Sequence, residues 1–212
     1  MVDLVVSMMD RLHCLVIGPG LGRCPMVLEA TARIIQQARS RNLPLVIDAD
    51  GLFLLTLEAY CDVLAGYDKV VLTPNAMEQK RLEGFEKYWQ GAVVVQKGQT
   101  DIIRSIGGIP GAESDGHPQS TILSCQEEGG LKRSGGLGDI LAGCIGTLVA
   151  WNKLLQKQNV ATEAHLPLAC WTACCFTKRA THRAFDKHQR AMTAPDVLEE
   201  LGPTVNDMTI PA

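Results

Sequence analysis

The sequence predicts an α/β protein, with a mainly parallel central sheet covered by helices on both faces. Three observations predict it. Short runs rich in Val, Ile and Leu alternate with longer amphipathic segments, the pattern of strand, crossover helix and parallel strand. Several of those runs break at loops rich in Gly or Asp, the punctuation of a strand turning into a helix. The 212 residues are 46% hydrophobic and 20% charged, an ordinary globular composition that supports one domain spanning residues 1–212.

The elements follow in order. Leu12 to Ile17 reads as a buried strand that breaks at Gly18-Pro19-Gly20-Leu21-Gly22, before a helix from about Met26 to Arg39. Pro44 to Ile47 is the second strand, ending at Asp48-Ala49-Asp50-Gly51, with a helix from Leu52 to Ala59 after it. Lys69 to Leu72 and the helix Asn75 to Gly84 repeat the unit. Ala92 to Gln96 is rich in β-branched residues, and Asp101 to Arg104 and Thr121 to Ser124 are short strands flanking a turn-rich surface insert from Ser105 to Ser120. From Leu137 the chain is helical. One helix runs to about Leu155, a second from His165 to His188, and a last one starts near Ala194-Pro195-Asp196, where proline suits a first helical turn. In such sheets the loops at the carboxyl ends of the strands collect the functional groups.

Composition excludes several functions. A net charge of -3 offers no basic field for nucleic acid, and no stretch reaches the roughly 18 apolar residues a membrane helix requires. Met1-Val2-Asp3-Leu4 carries an acid where a secretory signal carries positive charge. The expected partners are small molecules and the expected compartment is the cytoplasm. Eight cysteines are scattered without a C-x-x-C pair. Cys170 and Cys174 share a helical face near His165, which leaves a metal reading beside the simpler one of buried reduced thiols.

Chemistry concentrates in Gly135-Gly136-Leu137-Gly138-Asp139, which opens an apolar helix. Glycines let the backbone approach a ligand, and helix amides attract anions. An aspartate beside a bound phosphate is repelled unless it serves as base for a hydroxyl that attacks that phosphate; the alternative is a plain capped helix. Asn75 and Glu78 have the spacing of a capping box. Gly18-Pro19-Gly20 lacks the spacing of a dinucleotide fingerprint. Asp48 and Asp50 fit ribose, water or metal contacts, or a plain turn. The histidines show no catalytic pattern.

Val16 to Arg23, Val46 to Leu52, Leu72 to Glu78, Val94 to Gly98 and Gly135 to Asp139, taken as an ordered set, resemble the carbohydrate-kinase-related NAD(P)H-hydrate dehydratases. That resemblance implies a ribokinase-like three-layer sandwich. It also implies ATP-driven dehydration of the S epimer of hydrated NADH or NADPH, with release of ADP and phosphate, and a functional link to an epimerase of the hydrated dinucleotide. The Gln96 to Asp101 segment resembles the ATP-using branch. By the same resemblance Asp139 is the catalytic base and also contacts substrate, together with Gly20, Asn75, Ala76, Met77, Glu78, Gln79, Lys80 and Arg81. ATP falls to Lys97, Gly98, Gln99, Thr100 and Asp101, and to Gly129, Gly130, Leu131, Lys132, Arg133, Ser134, Gly135, Gly136, Leu137 and Gly138. Mg2+ is expected at Glu78 through water.

Two departures from the family pattern lead us to expect a form with its N-terminal portion missing. The chain starts almost directly on the strand before Gly18, and the connection around residues 83–92 is short. A small-alcohol kinase of the vitamin-precursor type and a non-catalytic nucleotide-binding protein are the alternatives, and the oligomeric state is left open.

Overall fold

The structure, a computed structural model, describes residues 1–107, 113–114, 117–118, 122–161 and 165–209. Helix α1 (Val2–Met8) leads through a 3-10 turn to β1 (Leu15–Ile17). Then come α2 (Pro25–Ser40), β2 (Leu45–Ile47), α3 (Asp50–Leu54), β3 (Val70–Leu72), α4 (Ala76–Leu82) and β4 (Val93–Gln96). The chain turns back through β5 (Asp101–Ser105), β6 (Glu113–Ser114), β7 (His117–Pro118) and β8 (Ile122–Cys125). It ends in α5 (Leu137–Lys157), α6 (Leu166–His188) and α7 (Ala194–Thr209). The main sheet has six strands in the order β1-β2-β3-β4-β5-β8. β1 to β4 run parallel; β5 is antiparallel to both β4 and β8, so β8 runs in the direction of β1 to β4.

The central strands β2 and β3 are three residues each, buried throughout, and feed two cores. Leu45, Ile47, Val70, Leu72 and Val94 face the layer holding Leu28, Ile35, Leu52 and Leu54. Val46, Val71, Val93, Val95 and Ile103 face Leu141, Ile145, Val149, Cys170 and Ala173 of α5 and α6. Alternate residues of a strand point to opposite faces, so this division makes three layers from a two-residue period. Burial of each large side chain stabilises the fold by about 1.5–3 kcal/mol. A third cluster of Ile140, Ala180, Ala184, Met192 and Val197 ties α7 to α5 and α6.

The expected α/β class and mainly parallel sheet are found, with four local corrections. The helix expected over Leu52 to Ala59 is α3, which starts earlier and stops at Leu54. Leu52, Leu54, Leu55, Cys61, Val63 and Leu64 are all buried, a spacing no single helical stripe satisfies, so the chain continues as turns such as Leu57 to Leu54 and Tyr60 to Leu57. The first strand begins at Leu15, since Leu12 donates its amide to Met9 and closes the 3-10 turn. Inside the expected insert loop, β6 pairs with β7. Helix α1 was not foreseen; Val2, Val5 and Val6 pack on the first core. The short connection around 83–92 is filled by Trp89, which is fully buried and donates its indole N–H to the Cys61 carbonyl at 3.2 Å. Among the described residues no helix is long and apolar enough to cross a membrane.

Candidate active site

Because β1 to β4 are parallel, their carboxyl ends share one edge of the sheet, and four loops leave from it: at Gly18, Asp48, Thr73 and Lys97. The first two touch. Gly18 sits at φ +126, and a Cβ there would lie 1.7 Å from the Asp48 carbonyl oxygen, so only glycine lets this loop pass. Asp50 accepts from the Gly22 amide at 3.0 Å and from Arg23 Nε at 2.8 Å. It therefore clamps the glycine loop. The third and fourth loops are joined by the Lys97 amide donating to the Pro74 carbonyl at 2.9 Å.

At the centre of this edge lies an ion pair. Lys97 Nζ donates to Asp48 Oδ1 at 2.7 Å, and the Asp48 side chain is only 2% exposed. The first turn of α5 lies beside this pair: the Cβ position of Gly138 is 3.5 Å from Lys97 Nζ and 3.9 Å from Asp48 Oδ2. Gly136 is the N-cap residue at φ +89, and no side chain caps the helix. The leading amides of a helix have no partners within it, so this end is suited to an anion. Asp139 lies in the first turn, exposed to solvent, with no hydrogen bond or ion pair among the described residues. Its carboxylate is not spent on capping α5.

The loop from Lys97 to Asp101 is held differently. Asp101 accepts from the Gly98 amide at 2.8 Å, and Lys178 of α6 lies 3.7 Å from its other oxygen. Lys178 Nζ also donates to the carbonyls of Gly98 at 3.2 Å and Gln99 at 2.5 Å. Burial pushes the Asp101 carboxyl above its ordinary value, opposed by the Gly98 amide and by Lys178. Asp101 thus organises the loop from within, while Gln99 and Thr100 stand exposed. Lys178 escaped sequence reasoning because a lysine on an amphipathic helix reads as solvated surface.

The stretch from Gly129 to Arg133 is anchored to neighbouring elements. The Gly130 amide donates to Thr181 Oγ1 at 3.1 Å, and Lys132 Nζ donates to the Met192 carbonyl at 2.7 Å. Leu131 and Arg133 are exposed, Ser134 is half-buried, and a Cβ on Gly135 would meet nothing within 4 Å. Leu137 turns into the third core cluster.

On α4 the capping box is formed. Asn75 Oδ1 accepts from the amides of Met77 at 2.9 Å and Glu78 at 3.0 Å, and Glu78 Oε2 accepts from the Asn75 amide at 2.8 Å. Ala76, Met77, Lys80 and Arg81 are exposed, whereas Gln79 buries its Oε1 without a hydrogen bond among the described residues. Glu78 and Arg81 share a narrow cleft with Arg23 and Phe53, and Arg23 stacks over that ring at 4.2 Å. Gly20 stands exposed in the glycine loop at φ +65.

Among the described residues no three His, Cys, Asp or Glu side chains converge on a metal position. Magnesium commonly keeps its waters and takes one or two carboxylates plus substrate phosphates. An ion that arrives on a nucleotide needs no such cluster, and Glu78 spends its Oε2 on the Asn75 amide. Cys170 and Cys174 are buried, and burial pushes the thiols of Cys14 and Cys175 up to about 12. They pack as apolar side chains, while Cys24 is exposed.

The model of the family described as NAD(P)H-hydrate dehydratase matches residues 1–203. An ATP-dependent (S)-NAD(P)H-hydrate dehydratase from Bos taurus is 36% identical over 94% of this chain and 61% of its own length. The chain spans about 60% of the length of the curated relatives it matches. Among solved structures, hypothetic protein SMU.573 from Streptococcus mutans superposes with a TM-score of 0.71 at 18% identity, over 99% of this chain and 71% of that one. A hydroxyethylthiazole kinase from Pyrococcus horikoshii superposes at 0.63 with 17% identity, over 95% and 74%. These two likenesses establish a ribokinase-like fold and speak to nothing else.

Proposed function

This chain belongs to the NAD(P)H-hydrate dehydratase family, and on that premise we propose that it uses ATP to dehydrate the S epimer of hydrated NADH or NADPH. The hydrated ring carries a hydroxyl on a saturated carbon, and hydroxide is a poor leaving group at neutral pH. Phosphorylation makes it a good one. Asp139 accepts the hydroxyl proton as the oxygen attacks the γ-phosphorus and the bond to ADP breaks. The lone pair on the ring nitrogen then expels phosphate, and loss of a proton from the neighbouring ring carbon restores the dihydropyridine. The products are ADP, phosphate and the reduced dinucleotide.

The carrying observation is the first turn of α5: it has no side-chain cap, Gly138 in it lies beside the Lys97–Asp48 pair, and Asp139 in it is exposed with no partner among the described residues. The amides and the positive end of the helix stabilise charge on the transferring phosphoryl oxygens, and Lys97 adds a cation to the same edge. A magnesium ion on the nucleotide would neutralise phosphate charge, with Glu78 hydrogen-bonding its water shell. The hydroxyl-bearing ring lies between the glycine loop at Gly20 and the Asn75 to Arg81 segment. Uncatalysed hydration yields two epimers and this reaction consumes one, so an epimerase is the matching partner enzyme.

The test supplies purified protein with hydrated NADPH, magnesium and either ATP or ADP, and follows the absorbance of the reduced product. We expect recovery with ATP and stoichiometric free phosphate. A stable phosphate ester in place of reduced dinucleotide would make the protein a kinase, and no turnover by folded protein would overturn the enzymatic reading.

A further inference from the structure

Dehydration by this route releases two protons, and Asp139 accepts one. It takes the hydroxyl proton as the phosphate ester forms, so it is already protonated when phosphate leaves and the ring becomes an iminium. The proton on the neighbouring ring carbon then needs a second acceptor. Most carboxylates of this edge are committed to the protein. Asp50 holds the Gly22 amide and Arg23, Asp101 holds the Gly98 amide and Lys178, and Glu78 Oε2 holds the Asn75 amide.

Sheet order singles out Asp48. It directly follows β2, which lies between β1 and β3. The glycine loop leaves β1 and the Asn75 to Arg81 segment follows β3, so a ring held between those two segments sits over the end of β2. The backbone there is fixed: the Asp48 amide donates to the Ile17 carbonyl at 3.0 Å, and the Asp48 carbonyl accepts from the Gly51 amide at 2.9 Å. Oδ1 accepts from Lys97 Nζ, the cation that makes a carboxylate tolerable in so buried a place. Oδ2 accepts no hydrogen bond among the described residues and lies 3.9 Å from the Cβ position of Gly138.

Gly138 supplies an independent observation. Its φ is not positive, and an added Cβ would stand at ordinary contact distance from Lys97 and Asp48. Neither backbone conformation nor crowding therefore calls for glycine, although glycine weakens a helix relative to alanine. Its missing side chain keeps the space over the ion pair open, one residue before the base that takes the first proton.

We propose that Asp48 is the second base of the reaction, an inference that rests on the dehydration reading. As phosphate leaves, the ring nitrogen's lone pair forms the C=N bond of the iminium. Asp48 Oδ2 then takes the proton from the adjacent carbon. The C–H electron pair becomes the ring C=C bond, and the iminium π pair returns to nitrogen. Asp48 later gives its proton to water.

Asp48→Asn tests this in the whole chain supplied with hydrated NADPH, ATP and magnesium, with circular dichroism confirming the fold. ADP, phosphate and reduced dinucleotide are all measured. Without the second base, water recaptures the iminium and ATP is consumed without product. Reduced dinucleotide should form about 10²-fold more slowly and ADP only about threefold more slowly, so the ratio of phosphate to reduced dinucleotide rises well above that of wild type. Hydrate prepared in heavy water carries deuterium on the carbon that loses the proton. It should raise the variant's ratio further, because recapture competes with the slower C–D cleavage, and a merely structural role would not respond to deuterium. Asp48→Ser is the second variant, and added formate should return its ratio toward that of wild type. The proposal is overturned if phosphate and reduced dinucleotide fall in step, if Asp48→Asn matches wild type, or if neither variant folds. Folded wild type that forms no ADP would instead overturn the dehydration reading itself.

Discussion

Two loops at the carboxyl edge of the sheet are built on opposite plans. In the loop from Lys97 to Asp101, the Gly98 amide, both Asp101 oxygens and the Gly98 and Gln99 carbonyls are engaged by protein groups. In the turn from Gly135 to Asp139, no side chain caps the helix and the carboxylate has no partner among the described residues. The first loop is pre-organised; the second has spare hydrogen-bonding capacity. Satisfied polar groups hold a shape, and unsatisfied ones remain available to a ligand. Chemistry is therefore expected at the turn, and positioning at the loop.

The comparison breaks most visibly at Asp139. Asp139→Asn should lower kcat by about 10²–10⁴ while changing stability by no more than about 0.5 kcal/mol, read by single-turnover kinetics and urea unfolding. A variant that loses stability and keeps turnover would make the carboxylate structural. Next is Lys97→Met, which strands the buried Asp48 carboxylate. It should cost about 3 kcal/mol, seen as a fall in the urea midpoint. The double variant Lys97→Met, Asp48→Leu should recover much of that loss, because no buried charge is left unpaired.

Lys178→Met sharpens the contrast from the pre-organised side. It should raise KM for ATP about tenfold with kcat within about twofold, and Lys178→Arg should restore much of the affinity. An equal fall in kcat would place Lys178 in the chemistry. The smallest effect is a slope against pH. Burial raises the Asp101 carboxyl in the folded state, so its contribution is fully present below the unfolded value and is lost as pH rises through the folded one. Asp101→Asn still accepts the Gly98 amide, and it should remove that decline from the urea midpoints measured upward from about pH 4.

The legible part of the fold was the part governed by local pattern. β2, β3, β4 and the long helices α5 and α6 fall close to where apolar runs and helical periods put them. Helix α3 was misread, because buried residues from Leu52 to Leu64 are dictated by packing on the first core and follow no helical stripe. At the site, the glycine turn, Asn75 and Glu78 stood out by type and spacing, and Lys97 stood out only through the family resemblance. The partner of Lys97 did not: Asp48 was only a secondary candidate in a turn, and the ion pair joins residues 49 positions apart. Lys178 reaches the Gly98 carbonyl from 80 positions away, and nothing in its own helix announces that role.

By itself the sequence determined the alternation of strand and helix and the glycines and acids available for phosphate chemistry, because these are properties of composition and near-neighbour order, and its ordered motifs carried the family resemblance. Tertiary structure decided which of those groups are spent and which remain open. Asp50 clamps a loop, Asp101 braces one and Asp48 neutralises Lys97, while Asp139 is left to solvent. These are four aspartates of one chemical type, told apart only by what the folded sheet brings within hydrogen-bonding distance of each.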